Sequence, residues 1–396
     1  MSGIRILIVS PFPPRLAADH GGARVVGRLA YELAATNEVG VLCLQAGDEP
    51  SVDVHLAERL GFLGYVPRPR RRGRLSRVRR AGRIVWGWAR GEPRFVTNYL
   101  NTMFEHRLQA VVADWQPDVI QFEFHVLAGY GSSSDPARVV VVHEPGRDTA
   151  AAEGGLLVRV DAWAWRRYER RVLSGADAVV VFSDEDRLAV ERSGAHLVTR
   201  IPFGADLLDL PHSPHETPTV LYWGNYSHAP NLAAAGRLAD AIFPLVLQKV
   251  PSARLALAGR APTRGTLPIG PGVDHLGFVE DVTSLLGAAT IVAAPLSTGG
   301  GMRVKVAESL AGGKAVVATR RAMAGIGATP GKHYAAAESD EEFAAEISRL
   351  LMDDGERVAL EVAAKEFAST SLRWQNAARS YVELYERLGR SPTGDK

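Results

Sequence analysis

Three short constellations carry residue types that could meet a ligand, two of them suited to an anion. The first is His20-Gly21-Gly22-Ala23-Arg24, a loop between a leading β-branched run and the helical pattern after it. Glycine lets backbone approach a ligand closely, and free N–H groups at a helix start attract anions. The same residues would also make a plain turn before a helix. Their spacing is not Gly-x-Gly-x-x-Gly, which disfavours a dinucleotide fold of the dehydrogenase kind. The second constellation is Thr298-Gly299-Gly300-Gly301-Met302-Arg303-Val304-Lys305, with Glu308 after it. Three glycines opening a helix would offer N–H groups and a positive helix end to a diphosphate, with Arg303 and Lys305 adding charge. On a helix, Lys305 and Glu308 are three apart and share a face. An Arg/Lys–Glu surface pair beside a flexible loop is the alternative. The third is His143, where the run Val139–Val142 ends and Glu144 and Pro145 follow. Ligands of open parallel sheets sit beyond the carboxyl ends of the strands, so His143 is placed to face a cleft. A lone histidine there also suits a structural role.

These residues need a scaffold, and hydrophobic periodicity supplies one. Ile4–Val9 is an unbroken apolar run, the sign of a strand buried on both faces, and Gly22–Ala35 repeats apolar residues at helical spacing. Val39–Leu44, Val119–Phe122, Val139–Val142, Ala178–Phe182 and Arg200–Ile201 predict further strands separated by helices. The alternation then starts again with strands at Thr219–Trp223, Arg254–Ala258, His275–Leu276, Ile291–Ala294 and Ala315–Ala318. Helices are expected at Leu232–Val250, Val282–Leu286, Val304–Ala311 and Glu341–Leu351. Alternating strands and helices predict parallel sheets covered by helices. The Pro-rich segment Asp206–Pro218 reads as a linker, and an amphipathic helix closes the chain after Ser371. The last six residues, Ser391–Lys396, read as a frayed tail.

Composition narrows the classes. At 396 residues the chain is too long for one ordinary core and fits two domains. Hydrophobic residues at 46% and charged residues at 23% are those of a globular protein. A formal net charge of only +2 argues against a nucleic-acid binder. The single cysteine, Cys43, rules out an intrachain disulfide and multi-cysteine metal sites, and its apolar neighbours predict a buried strand thiol. The start of the chain lacks the apolar region of a signal peptide, and no stretch approaches the roughly 20 apolar residues of a membrane span. A cytoplasmic protein is expected, with contact at the inner face of a membrane left open.

Longer segments resemble one family. Arg303–Thr319, containing Glu308-Ser309-Leu310-Ala311-Gly312-Gly313-Lys314-Ala315-Val316-Val317, is similar to the donor-site segment of the retaining GT-B glycosyltransferases of family four. Tyr222-Trp223-Gly224-Asn225, His228-Ala229-Pro230-Asn231, Leu276-Gly277-Phe278-Val279 and Ala176-Asp177-Ala178-Val179-Val180 resemble its other landmarks, in the right order along nearly the whole chain. Gly21-Gly22 resembles its N-terminal phosphate loop and His143 its cleft histidine. The resemblance implies an α/β GT-B architecture, with two Rossmann-like domains whose parallel sheets face across a cleft. It implies an acceptor-side domain over 1–207, a nucleotide-sugar donor domain over 208–370, and a helix over 371–390 returning to the first domain. It also implies that Glu308 binds the donor ribose and that Gly22 with Gly299–Gly301 cradles diphosphate and sugar. Phe278 and Val279 would lie near the base, and His143 would contact the transferred sugar. Gly21, Asn225 and Met302 join the expected substrate-binding set. No metal and no cofactor beyond the nucleotide sugar is implied.

The chain departs from this pattern at two places. Family members commonly carry a glutamate where this chain has Gly300, and an Arg/Lys pair where it has Asn225 and Asn231. Arg303 and Lys305 are the candidates to replace that pair, since an unneutralised diphosphate would be a poor leaving group. A basic stretch, Arg68 to Arg90 with Trp86 and Trp88, suits a helix lying on an anionic bilayer, an anionic glycan, or a solvated face. The function expected is transfer of a sugar from a nucleoside diphosphate donor, with retention, to a glycan, lipid-linked or small-molecule acceptor. A nucleotide-sugar epimerase on the same fold and a silent glycan-binding protein are the alternatives.

Overall fold

Residues Arg5–Ser10 form β1, buried along its length because both faces of a parallel strand are covered. The computed structural model describes residues 3–17, 21–68, 74–131, 136–144, 156–210, 217–262, 265–301 and 303–389, with side chains of 74–80 and 156 left aside. His20, Pro145, Met302, the basic residues 70–72, residues 211–216 of the expected linker and the 391–396 tail lie outside the described residues. Six more strands follow: β2 (Glu38–Gln45), β3 (Phe62–Pro67), β4 (Val119–Glu123), β5 (Ala137–Val142), β6 (Ala178–Val181) and β7 (Val198–Arg200). They pair in the order β3-β2-β1-β4-β5-β6-β7, parallel throughout. Cys43 lies in β2, fully buried, and desolvation raises its thiol pKa far above the usual range.

A second sheet repeats the scheme. It contains β8 (Thr219–Trp223), β9 (Arg254–Ala258), β10 (Val273–Gly277), β11 (Ile291–Ala294), β12 (Ala315–Ala318) and β13 (Ala335–Ala336). The order is β10-β9-β8-β11-β12-β13, again all parallel. In both sheets the strand order reverses between the first and fourth strands in sequence. That is where the crossovers part to opposite sides and leave a crevice at the strands' carboxyl ends.

Chain contacts divide the protein into two units, one of residues 1–203, 300–302 and 377–396, the other of 204–299 and 303–376. The final helix, Trp374–Gly389, therefore contributes most of its length to the first unit. Its apolar stripe of Ala377, Ala378, Tyr381, Leu384 and Tyr385 is buried.

The structure departs from the sequence expectations at a few elements. The edge strand β3 was not expected, because Gly64 interrupts its alternation and Pro67 ends it. The helix expected over Leu232–Val250 is instead three pieces: Ala229–Gly236, a π-helical turn at Arg237–Ile242, and Phe243–Lys249. Gly236 precedes the widened turn and Pro244 follows it, both of which weaken a regular α-helical ladder. Gly21 and Gly22 are not in a loop before the first helix. That helix spans Gly21–Leu33, so they form its first turn.

Where the second unit begins, Gly204 lies against Trp374. A Cβ at Gly204 would fall 2.6 Å from the indole and 2.7 Å from the Trp374 Cα. Because part of that clash is with backbone, it cannot be relieved by a side-chain turn alone. Gly204→Ala should therefore destabilise the protein by about 1–3 kcal/mol, read as a lower thermal midpoint than that of Ala205→Gly measured beside it.

Candidate functional site

At the switch point of the second sheet, β11 ends at Ala294 and an irregular segment leads to the helix Val304–Ala311. Gly299 has φ +91 and Gly301 φ +77, left-handed values that glycine adopts without strain. Gly300, between them, has no such need. Arg303 directly precedes the helix and is buried. Its Nη2 donates to the Gly299 carbonyl at 2.8 Å and its Nε to the Arg321 carbonyl at 3.3 Å, while Arg321 Nη1 donates to the same Gly299 carbonyl at 3.3 Å. Gly299 is thus tied to two guanidinium groups at the positive end of a helix.

One residue into the helix, the half-buried Lys305 turns back to β8. Its Nζ donates to Asn231 Oδ1 at 2.7 Å and Tyr222 Oη at 3.2 Å, and it sits 4.4 Å from the centre of the Tyr222 ring. Gly224 leaves the room for it, since a Cβ there would fall 2.7 Å from Nζ. Burial pushes the Lys305 pKa down to about 7, the Arg303 charge adds to the shift, and Glu308 opposes it. Glu308 is half-buried one turn along the same helix.

The asparagines divide their work in a way the sequence did not show. Asn225 shapes the loop: its Oδ1 accepts from the Ser227 N–H at 3.0 Å and its carbonyl from Asn231 Nδ2 at 3.0 Å. Asn231, six residues on, is the one that reaches Lys305. Tyr222 was noted only as part of a motif, yet its buried phenol is a wall of the lysine's niche. A tyrosine at the end of a buried strand is the signal that could have found it, because a phenol needs a partner when buried. Phe278 and Val279 follow β10 on the same carboxyl side of the sheet. Phe278 is exposed with the Arg260 guanidinium 5.0 Å from its ring centre, and Val279 is half-buried.

The first unit carries His143 just past the end of β5, 3% exposed. Its Nε2 lies 2.5 Å from Glu123 Oε2. Its ring stacks on Phe124, with centres 3.7 Å apart and 6° between planes, and meets the edge of Phe182 at 5.2 Å. Phe124 has φ +63, a strained value for a bulky side chain, as often found where a site is held in place. Gly21 and Gly22, both half-buried, open the helix after β1, where the first N–H groups of a helix have no partner within it. The two polar residues Gln121 and Glu123 escaped sequence reasoning. Their signal was available, as the only polar positions in the run Val119-Ile120-Gln121-Phe122-Glu123.

Residues 217–353 match the family described as Glycosyl transferases group 1, and residues 20–204 match the Glycosyl transferase 4-like domain. A search of curated protein sequences gave no match. Among solved structures, sucrose-phosphate synthase from Thermosynechococcus elongatus is similar with a TM-score of 0.72 and 17% identity, over 98% of this chain and 100% of that one. HepE from Anabaena, in complex with UDP, has a TM-score of 0.65 and 15% identity over 97% and 100% of the two chains. WaaG, a glycosyltransferase involved in lipopolysaccharide biosynthesis, has a TM-score of 0.63 and 14% identity over 96% and 99%. The likeness in structure shows the GT-B fold, with its two Rossmann-like halves. With a family domain matched on each half in order, the chain belongs to the group 1 glycosyltransferases.

Proposed function

We propose that this protein transfers a sugar from a nucleoside diphosphate donor to an acceptor, with retention of anomeric configuration and without a divalent metal. The observation that carries the reading is the gathering of Arg303, Lys305 and the Gly299–Gly301 loop at the switch point of the second sheet. A departing diphosphate develops negative charge, and preorganised positive groups in a dry site stabilise it most. Arg303 and Lys305 supply that charge in place of the pair replaced by Asn225 and Asn231. Gly22 and the loop glycines offer N–H groups to phosphate and sugar. Glu308 accepts hydroxyls of the donor ribose, Phe278 and Val279 border the base, and His143 contacts the transferred sugar near its reacting carbon. HepE has been seen with UDP-glucose, which supports a nucleotide sugar as the donor class. WaaG's place in lipopolysaccharide biosynthesis supports a glycan or glycoconjugate product.

A lipid-linked acceptor is also part of this reading, with the protein at the inner face of a membrane. No helix among the described residues is long and apolar enough to cross one. The helix Arg74–Ala89 packs beside the helix Leu156–Ser174, where Trp88 Nε1 donates to Asp161 Oδ1 at 2.7 Å. Together they expose Trp86, Trp163 and Leu157 among Arg90, Arg159 and Arg166. Aromatic side chains among arginines suit the headgroup layer of an anionic bilayer. Co-sedimentation with anionic but not neutral vesicles is expected, weakening as salt is raised. Binding to neither kind at low salt would remove the membrane from the reading.

Nucleotide binding should carry a proton signature. An anion favours the charged form of Lys305, so binding raises a pKa that stands near 7 in the free protein. As pH rises through 7, free Lys305 loses its proton, binding must restore it, and affinity falls. Calorimetry with nucleoside diphosphates in buffers of different ionisation enthalpy, all containing EDTA, should show proton uptake at pH 8. Lys305→Met should abolish that uptake. Absence of binding until Mg²⁺ is added would overturn metal independence. In a turnover assay, Arg303→Ala should lower the rate by about 10²-fold while the fold persists, and the product should keep the donor's anomeric configuration. Wild-type turnover in Arg303→Ala would refute its role, and an inverted product would refute retention.

A further inference from the structure

The strand β4 contains two polar side chains where a central parallel strand would ordinarily be apolar. Gln121 is 0% exposed and Glu123 is 1% exposed. Burying an amide and a carboxylate costs several kcal/mol unless each finds partners. Two apart on one strand, they point to the same face, and there they form a chain. Tyr385, on the final helix, donates its hydroxyl to Gln121 Oε1; Gln121 Nε2 donates to Glu123 Oε1; and Glu123 Oε2 meets His143 Nε2 at 2.5 Å. Every member belongs to the first unit.

The chemistry gives this chain a direction. An ionised carboxylate only accepts hydrogen bonds, so both Gln121 Nε2 and His143 Nε2 must present protons to Glu123. With its amide turned that way, Gln121 has its oxygen left for Tyr385, which must donate. Burial, with the Glu123 charge adding to it, holds the Tyr385 phenol well above its ordinary pKa, so it keeps the proton it donates. Tyr381, one turn earlier with its ring centre 6.1 Å from that of Tyr385, is raised by burial, the Glu123 charge and Tyr385. His143 is further fixed by the Phe124 stack and the Phe182 edge. Its Nδ1 is buried with no hydrogen-bond partner among the described residues, so one nitrogen is engaged and the other is left over.

We propose that Tyr385 and Gln121 are positioning residues for His143. By holding Glu123, they keep the proton on Nε2 and the ring in one orientation, an inference that rests on the sugar contact given to His143 above. The last helix of the chain thereby acts on the site through a buried relay and without touching substrate. A carboxylate held by a single donor could turn about its own axis; held also by Gln121, it presents one oxygen to the imidazole. The relay has the logic by which an orienting carboxylate fixes the tautomer of a functional histidine.

Tyr385→Phe removes one hydroxyl and keeps the ring, which makes it the test. Its turnover should fall about tenfold, the effect of one hydrogen bond lost from a positioned group. KM for the donor should stay within about twofold, because the lost alignment counts in the transition state and not in donor binding, while the thermal midpoint should fall, since Gln121 Oε1 is left buried without its donor. The reading independent of activity is ¹⁵N-histidine NMR, in which the His143 signals are identified by their loss in His143→Ala. Wild type should show Nε2 protonated. In Tyr385→Phe and in Gln121→Met the two ring nitrogens should move toward averaged positions as both tautomers are populated. On a His143→Ala background, Tyr385→Phe should cost nothing further. Unchanged imidazole signals in both relay variants would overturn the proposal whatever the rates do. An equal loss on the His143→Ala background would overturn it too, since the tyrosine would then act without the histidine. Wild-type turnover in His143→Ala alone would instead remove the sugar contact from the proposed function, and the imidazole spectra would still judge the relay.

Discussion

Strands buried on both faces have no side to spare for polar groups, and this constraint shapes both units. β1, β4, β5 and β6 of the first sheet and β8, β11 and β12 of the second are buried along nearly their whole length. Polar chemistry therefore collects where the strands stop, at the carboxyl ends beside the crossover of each sheet. His143 follows β5, Gly224 and Asn225 follow β8, and the glycine loop follows β11. The same rule makes the exceptions informative. Gln121 and Glu123 sit inside a strand, and they satisfy one another, a histidine and a tyrosine from the far end of the chain.

Lys305 shows how the second unit handles charge. A lysine exposed on a helix would be a solvated point charge with a normal pKa. Here Tyr222, Asn231 and the space over Gly224 draw its ammonium inward, so its pKa drops to about 7. With its pKa near 7, Lys305 stands between its charged and neutral forms at neutral pH. Arg303 cannot be neutralised in this way, and it is tied by its hydrogen bond to Gly299. The two cations thus differ in kind, one permanent, the other set by its surroundings.

Trp374 lies against Gly204 within the second unit, while Tyr381 and Tyr385 are buried in the first. Packing accounts for the apolar stripe of this helix. It does not account for a tyrosine hydroxyl buried against a strand glutamine, which a phenylalanine would avoid at lower desolvation cost.

Much of this was legible in the sequence. Apolar runs of four to six residues located nine of the thirteen strands among the described residues, because a strand covered on both faces has no other way to be written, and the two-residue readings at Arg200–Ile201 and His275–Leu276 fell on two more. The triple glycine before a helix marked a loop able to take left-handed backbone, as Gly299 and Gly301 do, since φ above zero is a local property. Two edge strands escaped, Phe62–Pro67 for its glycine and proline and Ala335–Ala336 for its length. The break in the Leu232–Val250 helix escaped as well, since a π-helical turn leaves little trace in periodicity. What only the tertiary structure decided are the pairings between residues distant in sequence: Lys305 with Asn231 and Tyr222, His143 with Glu123, and Gln121 with Tyr385, 264 positions apart. Periodicity reports which way a side chain faces. The partner it meets there depends on which strands lie side by side, and that is set by the packing of the whole sheet.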